Sequence, residues 1–237
     1  MSLFADQYCL ICHGVIDPVI SWSSVILPTE EMDVCKSCQQ RFKPLCGELC
    51  RGCGRVLSTD YRSGDQCFDC IRWEEDAEWG GLLAQNFSLY EYNDFLKEVI
   101  ATFKYRGDYR LARVFKPGIL KTLESRTFDL IVPIPLSEER LYERGFNQTE
   151  ALILEAGFQQ TKLLSRIHSE KQSKKSRSER IHLPQVFRIR DTDSVPLEDK
   201  TVLLIDDIYT TGSTLRHAAK VLHEHGVYKV FSFTIAR

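Results

Sequence analysis

The chain has 237 residues, 43% of them hydrophobic, enough to bury a real core and to form one domain with a smaller companion. Its 31 Lys and Arg against 33 Asp and Glu leave a net charge of −2, which excludes a molecule that attracts nucleic acid over its whole surface; any such binding needs a local patch. No apolar run suits a membrane span, and the opening MSLFADQYC has neither region of a secretory signal, so a cytoplasmic protein is expected.

Cysteine dominates the first third. In a reducing compartment nine cysteines are not expected to form disulfides, and eight of them fall into CxxC pairs: Cys9/Cys12, Cys35/Cys38, Cys50/Cys53 and Cys67/Cys70. Each CxxC turn can present two thiolates to one ion, and two such turns complete a closed tetrahedral site, so the spacing predicts two structural zinc ions. Pairing in sequence order places Cys9, Cys12, Cys35 and Cys38 at one ion and Cys50, Cys53, Cys67 and Cys70 at the other; a cross-braced pairing stays open. Cys46 is left over, close enough to Cys50 to compete as a ligand. The stretch CLICH, ending at His13, matches a haem-attachment pattern, but that chemistry needs export, and His13 is read as a surface or packing residue.

Over residues 1–75 seven Lys and Arg face eleven Asp and Glu, a balance of −4. Two four-thiolate zinc sites would each add about two negative charges. Such a module is a poor nonspecific DNA binder and reads as a structural or protein-docking unit. The domain organisation expected is a double zinc ribbon over residues 1–75, a linker over 76–81 within WEEDAEWGG with a glycine hinge at Gly80 and Gly81, and a second domain over 82–237.

Beyond the linker, Phe87 and Leu89 suggest a strand, and Leu96, Val99, Ile100 and Phe103 mark a helix closed near Gly107. DLIVPIPL reads as a strand; its Val132-Pro133 and Ile134-Pro135 steps allow an unusual backbone, a cis peptide included. It precedes SEERLYERGFNQTEAL, from which a helix can run over residues 147–156. Residues 162–190 hold nine Lys or Arg against Glu170 and Glu179, a balance of +7. Within them KQSKKSRSER is either a solvated loop or a phosphate-gripping segment in which Lys174, Lys175 and Arg177 make the contacts.

The most informative stretch is VLLIDDIYTTGST, residues 202–214. The run from Val202 to Ile205 is β-branched and apolar, as in a strand covered on both faces, and is expected to end at the acids. Leu215, Ala218, Ala219 and Leu222 then follow helical spacing, with Gly226 suited to the position just past the helix end, and a strand follows over residues 227–235. A loop at the carboxyl end of a strand and the amino end of a helix favours an anion. Thr210, Thr211, Ser213 and Thr214 add hydroxyl donors, and Gly212 permits close backbone approach. The lysine of a nucleoside-triphosphate P-loop is missing. Asp206 and Asp207 can accept hydrogen bonds from a vicinal diol and help hold a divalent cation, so a ribose 5-phosphate satisfies both halves of the stretch.

This stretch resembles the phosphoribosyl-pyrophosphate (PRPP) motif of type I phosphoribosyltransferases. The purine-salvage branch usually carries an acid where Thr210 stands, which counts against purine salvage. With the paired CxxC ribbons, VPIPL, RGFNQ and KQSKKSRSER, the whole chain resembles the ComF/ComFC competence family. The resemblance implies a type I phosphoribosyltransferase fold, a mainly parallel sheet flanked by helices, behind a small zinc-ribbon domain. It implies a role in DNA uptake during natural transformation, a ComFA-like helicase ATPase as partner, single-stranded DNA binding, and recruitment to the inner face of the membrane through partners. Carried over, Asp206 and Asp207 meet the ribose hydroxyls and are the candidate catalytic groups, Thr210, Thr211, Gly212, Ser213 and Thr214 hold the 5-phosphate, and Arg140 and Arg144 face the pyrophosphate beside magnesium. The two arginines can equally be solvated helix charges. The basic loop is placed like the lid that closes over pyrophosphate in related transferases. Little chain follows the last strand for a hood over a base, so base recognition is expected from elsewhere. Two function classes follow: a PRPP-binding competence protein, or an active phosphoribosyltransferase on an unidentified acceptor in nucleotide metabolism.

Overall fold

The computed structural model describes residues 7–16, 32–167, 186–190 and 195–237. The cysteine-rich part is built from small elements. β1 (Gln7–Tyr8) and β2 (Val15–Ile16) pair antiparallel, as do β3 (Arg62–Ser63) and β4 (Gln66–Cys67). Helices α1 (Lys36–Gln39) and α2 (Phe68–Glu74) each start directly after a cysteine, Cys35 and Cys67. Elements this short cannot bury enough surface to hold themselves, which leaves the work to the sulfur groups and to packing on the rest of the chain.

The remainder is one α/β layer structure. β5 (Gln85–Tyr90), α3 (Asp94–Tyr105), α4 (Ala112–Leu123), β6 (Leu130–Pro133), α5 (Glu138–Arg144) and α6 (Gln148–Glu155) come first. The hairpin β7 (Leu164–Arg166) and β8 (Phe187–Ile189) follows, then β9 (Thr201–Ile208), α7 (Ser213–Glu224) and β10 (Lys229–Ala236). Four strands form a parallel sheet in the order β5-β10-β9-β6. Alternation along β9 sends Leu203 and Ile205 to one face, with α3, α4 and α6, and Val202 and Leu204 to the other, with α7 and the β7/β8 hairpin. The cysteines divide in the same way: Cys9 and Cys38 join the first core, whereas Cys50, Cys53, Cys67 and Cys70 join the second.

The connection after β6 packs through α6 on one face, while that after β9 packs through α7 on the other. Adjacent strands whose connections part in this way leave a crevice beyond their carboxyl ends. β9 does not stop at Ile205 as expected. Its ladder with β10 continues through Asp206 opposite Thr234 to Ile208 opposite Ala236, so the acid pair lies on the strand. The helix expected over residues 147–156 is α6, with the Asn147 side chain accepting from the Thr149 amide as its cap. Gly226 lies just past α7 with φ 90°. Among the described residues every peptide is trans, those before Pro133 and Pro135 included. No helix among them is long and apolar enough to cross a membrane.

Candidate functional site

Two four-cysteine groups form as the sequence order suggested, Cys9, Cys12, Cys35 and Cys38 in one, Cys50, Cys53, Cys67 and Cys70 in the other, with all sulfurs of a group within 4.8 Å of one another. A tetrahedral ion with metal–sulfur bonds of about 2.3 Å separates its sulfurs by roughly 3.8 Å. Cys12 Sγ and Cys35 Sγ stand 3.8 Å apart, and Cys53 Sγ and Cys67 Sγ 3.7 Å. The amides of Cys38 and Cys67 donate to the sulfurs of Cys35 and Cys50, the kind of support a thiolate ligand requires. Thiols so crowded cannot ionise alike: Cys53, Cys67 and Cys70 drive the Cys50 thiol down by hydrogen bonding to it, while Cys50 and Cys53 drive Cys70 up. Both donor sets fit a metal ion. Cys46 is exposed and belongs to neither group, and His13 is exposed in the loop between β1 and β2.

The acid pair lies at the mouth of the crevice. Desolvation first, and then the adjacent Asp207 carboxylate, push the Asp206 carboxyl up to about 7. The Asp207 carboxylate is engaged by the Lys104 ammonium at 2.6 Å, and both side chains are mostly buried. Arg166, at the end of β7, is near enough to Asp206 and Arg140 to feel both charges; burial first and Arg140 second lower its pKa. Two acids and three cations, Lys104, Arg140 and Arg166, therefore gather where β6 and β9 end. Asp206 matches a diol or a metal-bound oxygen, and the cations match phosphate oxygens.

RGFNQ anchors this rim. The Asn147 amide donates to the Ile134 carbonyl at 3.1 Å and the Thr149 hydroxyl donates to the same oxygen at 3.0 Å, fixing the turn after β6, where Pro133 and Pro135 supply no N–H. Arg144 donates to the Gln148 side chain at 2.9 Å and lies 5.5 Å over the Tyr105 ring. Arg140 is exposed on α5.

The loop between β9 and α7 is held from behind. Gly212 caps α7 with φ 80°, and a Cβ there would overlap Tyr209 and the Arg216 guanidinium. Tyr209 is buried; its hydroxyl, pushed up to about 12 chiefly by that burial, accepts from Arg216 Nη1 at 2.7 Å. Arg216, 1% exposed, lies 4.6 Å over the Trp73 ring, with Glu74 at 3.9 Å. Trp73 Nε1 donates to the Thr211 carbonyl at 2.9 Å. Arg237 Nη1 donates to the carbonyls of Thr210 at 2.9 Å and Tyr209 at 3.2 Å, and its Nη2 donates to Cys53 Sγ at 3.2 Å. Thr210 and Thr214 are exposed, and the Thr211 hydroxyl accepts from the Ser213 amide at 3.3 Å.

Sequence reasoning missed Lys104, Arg166, Trp73 and Arg237, which reach this site from distant elements, and Arg216, which lies on α7 just beyond the loop. Lys174, Lys175 and Arg177 lie outside the described residues.

A parallel sheet with an acid pair and a hydroxyl-rich loop at its switch point is the architecture of a phosphoribosyltransferase domain, and the family model described as Phosphoribosyl transferase domain matches residues 151–237. The chain is 38% identical over 233 residues to competence protein ComFC of Bacillus subtilis, covering 97% of this chain and 94% of that one. It is 33% identical over 231 residues to competence protein ComFC of Streptococcus pneumoniae, covering 97% and 99%. To the DNA utilization protein YhgH of Escherichia coli O157:H7 it is 27% identical over 212 residues, 80% of this chain and 90% of that one. The chain belongs to the ComFC family.

Proposed function

We propose that this chain acts in DNA uptake during competence as a protein that binds PRPP, with magnesium, in the crevice at the ends of β6 and β9. The observation that carries the reading is the gathering of Asp206 and Asp207 with Lys104, Arg140 and Arg166 directly before the loop that opens α7. Asp206 and Asp207 would accept from the ribose hydroxyls, Thr210, Thr211, Gly212, Ser213 and Thr214 would enclose the 5-phosphate, and Arg140, Arg166 and Arg144 would lie on the pyrophosphate side. Magnesium would be held with the help of the acid pair and would supply positive charge to offset that of the pyrophosphate. Zinc is the metal proposed for the two cysteine groups, because four closed thiolate ligands in a tetrahedral set suit it. The names of the relatives support the biological setting, and a ComFA-like ATPase is the proposed protein partner. The test is equilibrium binding of PRPP with magnesium to wild type and to the double variant Asp206→Asn with Asp207→Asn. The double variant is expected to bind about 2–4 kcal/mol more weakly, since charge-assisted hydrogen bonds and a metal contact go together. Equal affinity would refute the assignment.

Single-stranded DNA is the second ligand proposed. Tyr105 and Tyr142 are 73% and 92% exposed; Arg144 lies 5.5 Å over the Tyr105 ring, Arg106 follows Tyr105 in the chain and Arg140 precedes Tyr142 on α5. Exposed rings interleaved with guanidinium groups suit base stacking and backbone contact together. The basic segment that contains Lys174, Lys175 and Arg177 would extend that surface or close over pyrophosphate.

A further inference from the structure

We propose that the second cysteine group, through Arg237 and Trp73, sets the binding-competent shape of the phosphate loop, so that metal at Cys50, Cys53, Cys67 and Cys70 and a phosphoribosyl ligand at residues 209–214 bind with positive coupling. The inference rests on the reading that the loop takes PRPP and that zinc fills the cysteine group.

In a trans peptide the carbonyl of one residue and the N–H of the next point in opposite directions. Three consecutive carbonyls, those of Tyr209, Thr210 and Thr211, accept from donors on the cysteine side: Arg237 Nη1 serves the first two at 3.2 and 2.9 Å, and Trp73 Nε1 the third at 2.9 Å. The N–H groups of Thr210, Thr211 and Gly212 are thereby turned the other way, as an amide nest for an anion demands. A loop of hydroxyl residues has little internal reason to hold three successive peptides in one sense. Here the donors are external, and both come from the second cysteine group's surroundings.

Arg237 links the two sites directly. Its guanidinium lies 4.7 Å over the Tyr209 ring, one nitrogen donates to the loop carbonyls, and the other donates to Cys53 Sγ at 3.2 Å. Its backbone amide is tied to the Tyr90 carbonyl at 3.0 Å. Trp73 lies on α2, the helix that carries Cys70, with Arg216 stacked on its ring. The cysteine turn is itself seated on the sheet: the Asn86 side chain donates to the Cys53 carbonyl at 3.2 Å, and the Asn86 amide donates to Gly52. A bound ion fixes Cys53 at one corner of a tetrahedron and α2 at another, and both donors to the loop are fixed with them. Cys9 and Cys38 of the first group pack in the core of the opposite sheet face, so coupling is expected for the second group alone. Arg237 and Trp73 are positioning residues in this account.

The experiment uses the full zinc-loaded chain, PRPP with magnesium as probe, and the variants Trp73→Phe and Arg237→Gln, which keep every cysteine. Three quantities are read: PRPP affinity by calorimetry, zinc release into a colorimetric chelator with alkylated cysteines located by mass spectrometry, and amide exchange at residues 209–213. Both variants should retain two zinc ions; Trp73→Phe, which removes one hydrogen bond to the loop, should bind PRPP roughly three- to tenfold more weakly, and Arg237→Gln, which removes the donor to two loop carbonyls, at least as weakly. Because coupling is reciprocal in binding free energy, PRPP should raise the zinc affinity of the second group, read as zinc partitioning to the chelator at equilibrium, by the same roughly three- to tenfold and leave the first group unchanged. Wild-type affinity in both variants, or a zinc affinity of the second group unmoved by PRPP that calorimetry shows to be bound, overturns the coupling. If wild type binds no PRPP, the reading of the loop as its site fails. Amide exchange then decides the coupling by itself: it should accelerate in both variants and on metal loss from the second group, and unchanged protection overturns the proposal.

Discussion

Replacing Asp206 by Asn should stabilise the ligand-free protein and at the same time weaken its affinity for a phosphoribosyl ligand. Unfolded, this carboxyl titrates near its ordinary 3.8; folded, it is pushed up to about 7 by desolvation and by Asp207. Between those values the folded state holds a proton that the unfolded state has lost, so the fold loses stability as pH rises through this window and carries the full penalty above it. At about 1.36 kcal/mol for each tenfold change in proton affinity, the whole displacement corresponds to roughly 4 kcal/mol. Water at the mouth of the crevice raises the local dielectric response, and the gain expected from Asp206→Asn at pH 8 is about 1–3 kcal/mol. At pH 5 only about a third of that gain remains, because most of the titration window lies higher. Scanning calorimetry at pH 5 and pH 8, on zinc-saturated protein without ligand, reads this as a rise in Tm of about 2–4 °C per kcal/mol. An equal gain at both pH values, or a loss at pH 8, would refute the electrostatic reasoning.

Lys104→Ala should destabilise the ligand-free fold by about 1–3 kcal/mol, since it leaves the mostly buried Asp207 carboxylate without its cation, and Lys104→Ala combined with Asp207→Asn should recover much of that loss. Urea unfolding of the two variants checks this, and additive losses would contradict it. Elemental analysis of anaerobically purified protein should find two zinc ions, and their removal should unfold mainly the region before Gly80; less than one zinc per chain contradicts the metal assignment. Alanine at Tyr142 should weaken single-stranded DNA binding by about 1–3 kcal/mol while leaving PRPP affinity intact, and alanine at Tyr105, whose ring carries Arg144, should weaken both. Alanine at Lys174, Lys175 and Arg177 together should flatten the salt dependence of DNA binding by about 2 in slope, at about 0.7 per phosphate contact; an unchanged slope would remove these residues from the DNA surface.

What could be read directly from the sequence was local. The strand, acid pair, loop and helix between Val202 and Glu224 are legible because an apolar run, a 3.6-residue period and Gly226 lie within one short stretch. CxxC spacing likewise leads to the observed grouping of the sulfurs. The contacts that give the site its charge and rigidity are not local. Arg237 meets Cys53 across 184 positions and Trp73 meets Thr211 across 138, and neither pairing leaves a periodic trace. Lys104 looks like an ordinary basic residue near a helix end, and only the fold brings it to Asp207. In WEEDAEWGG the acidic residues and glycines suggested a hinge, yet Trp73 and Trp79 are buried and the Gly81 amide donates to the Glu74 side chain at 2.9 Å. Two tryptophans in so polar a stretch were the available signal, since indole surface is costly to leave in water.

The central claim is that the crevice at the ends of β6 and β9 is a phosphoribosyl-pyrophosphate site, and a calorimetric titration of the zinc-loaded chain with PRPP at pH 8 tests it most directly. One saturable site per chain is expected, requiring magnesium, binding about 2–4 kcal/mol more weakly in the Asp206→Asn, Asp207→Asn variant, and weakening as pH falls below about 7 while Asp206 takes up its proton. Absence of saturable heat with magnesium present, or wild-type affinity in the double variant, would contradict it.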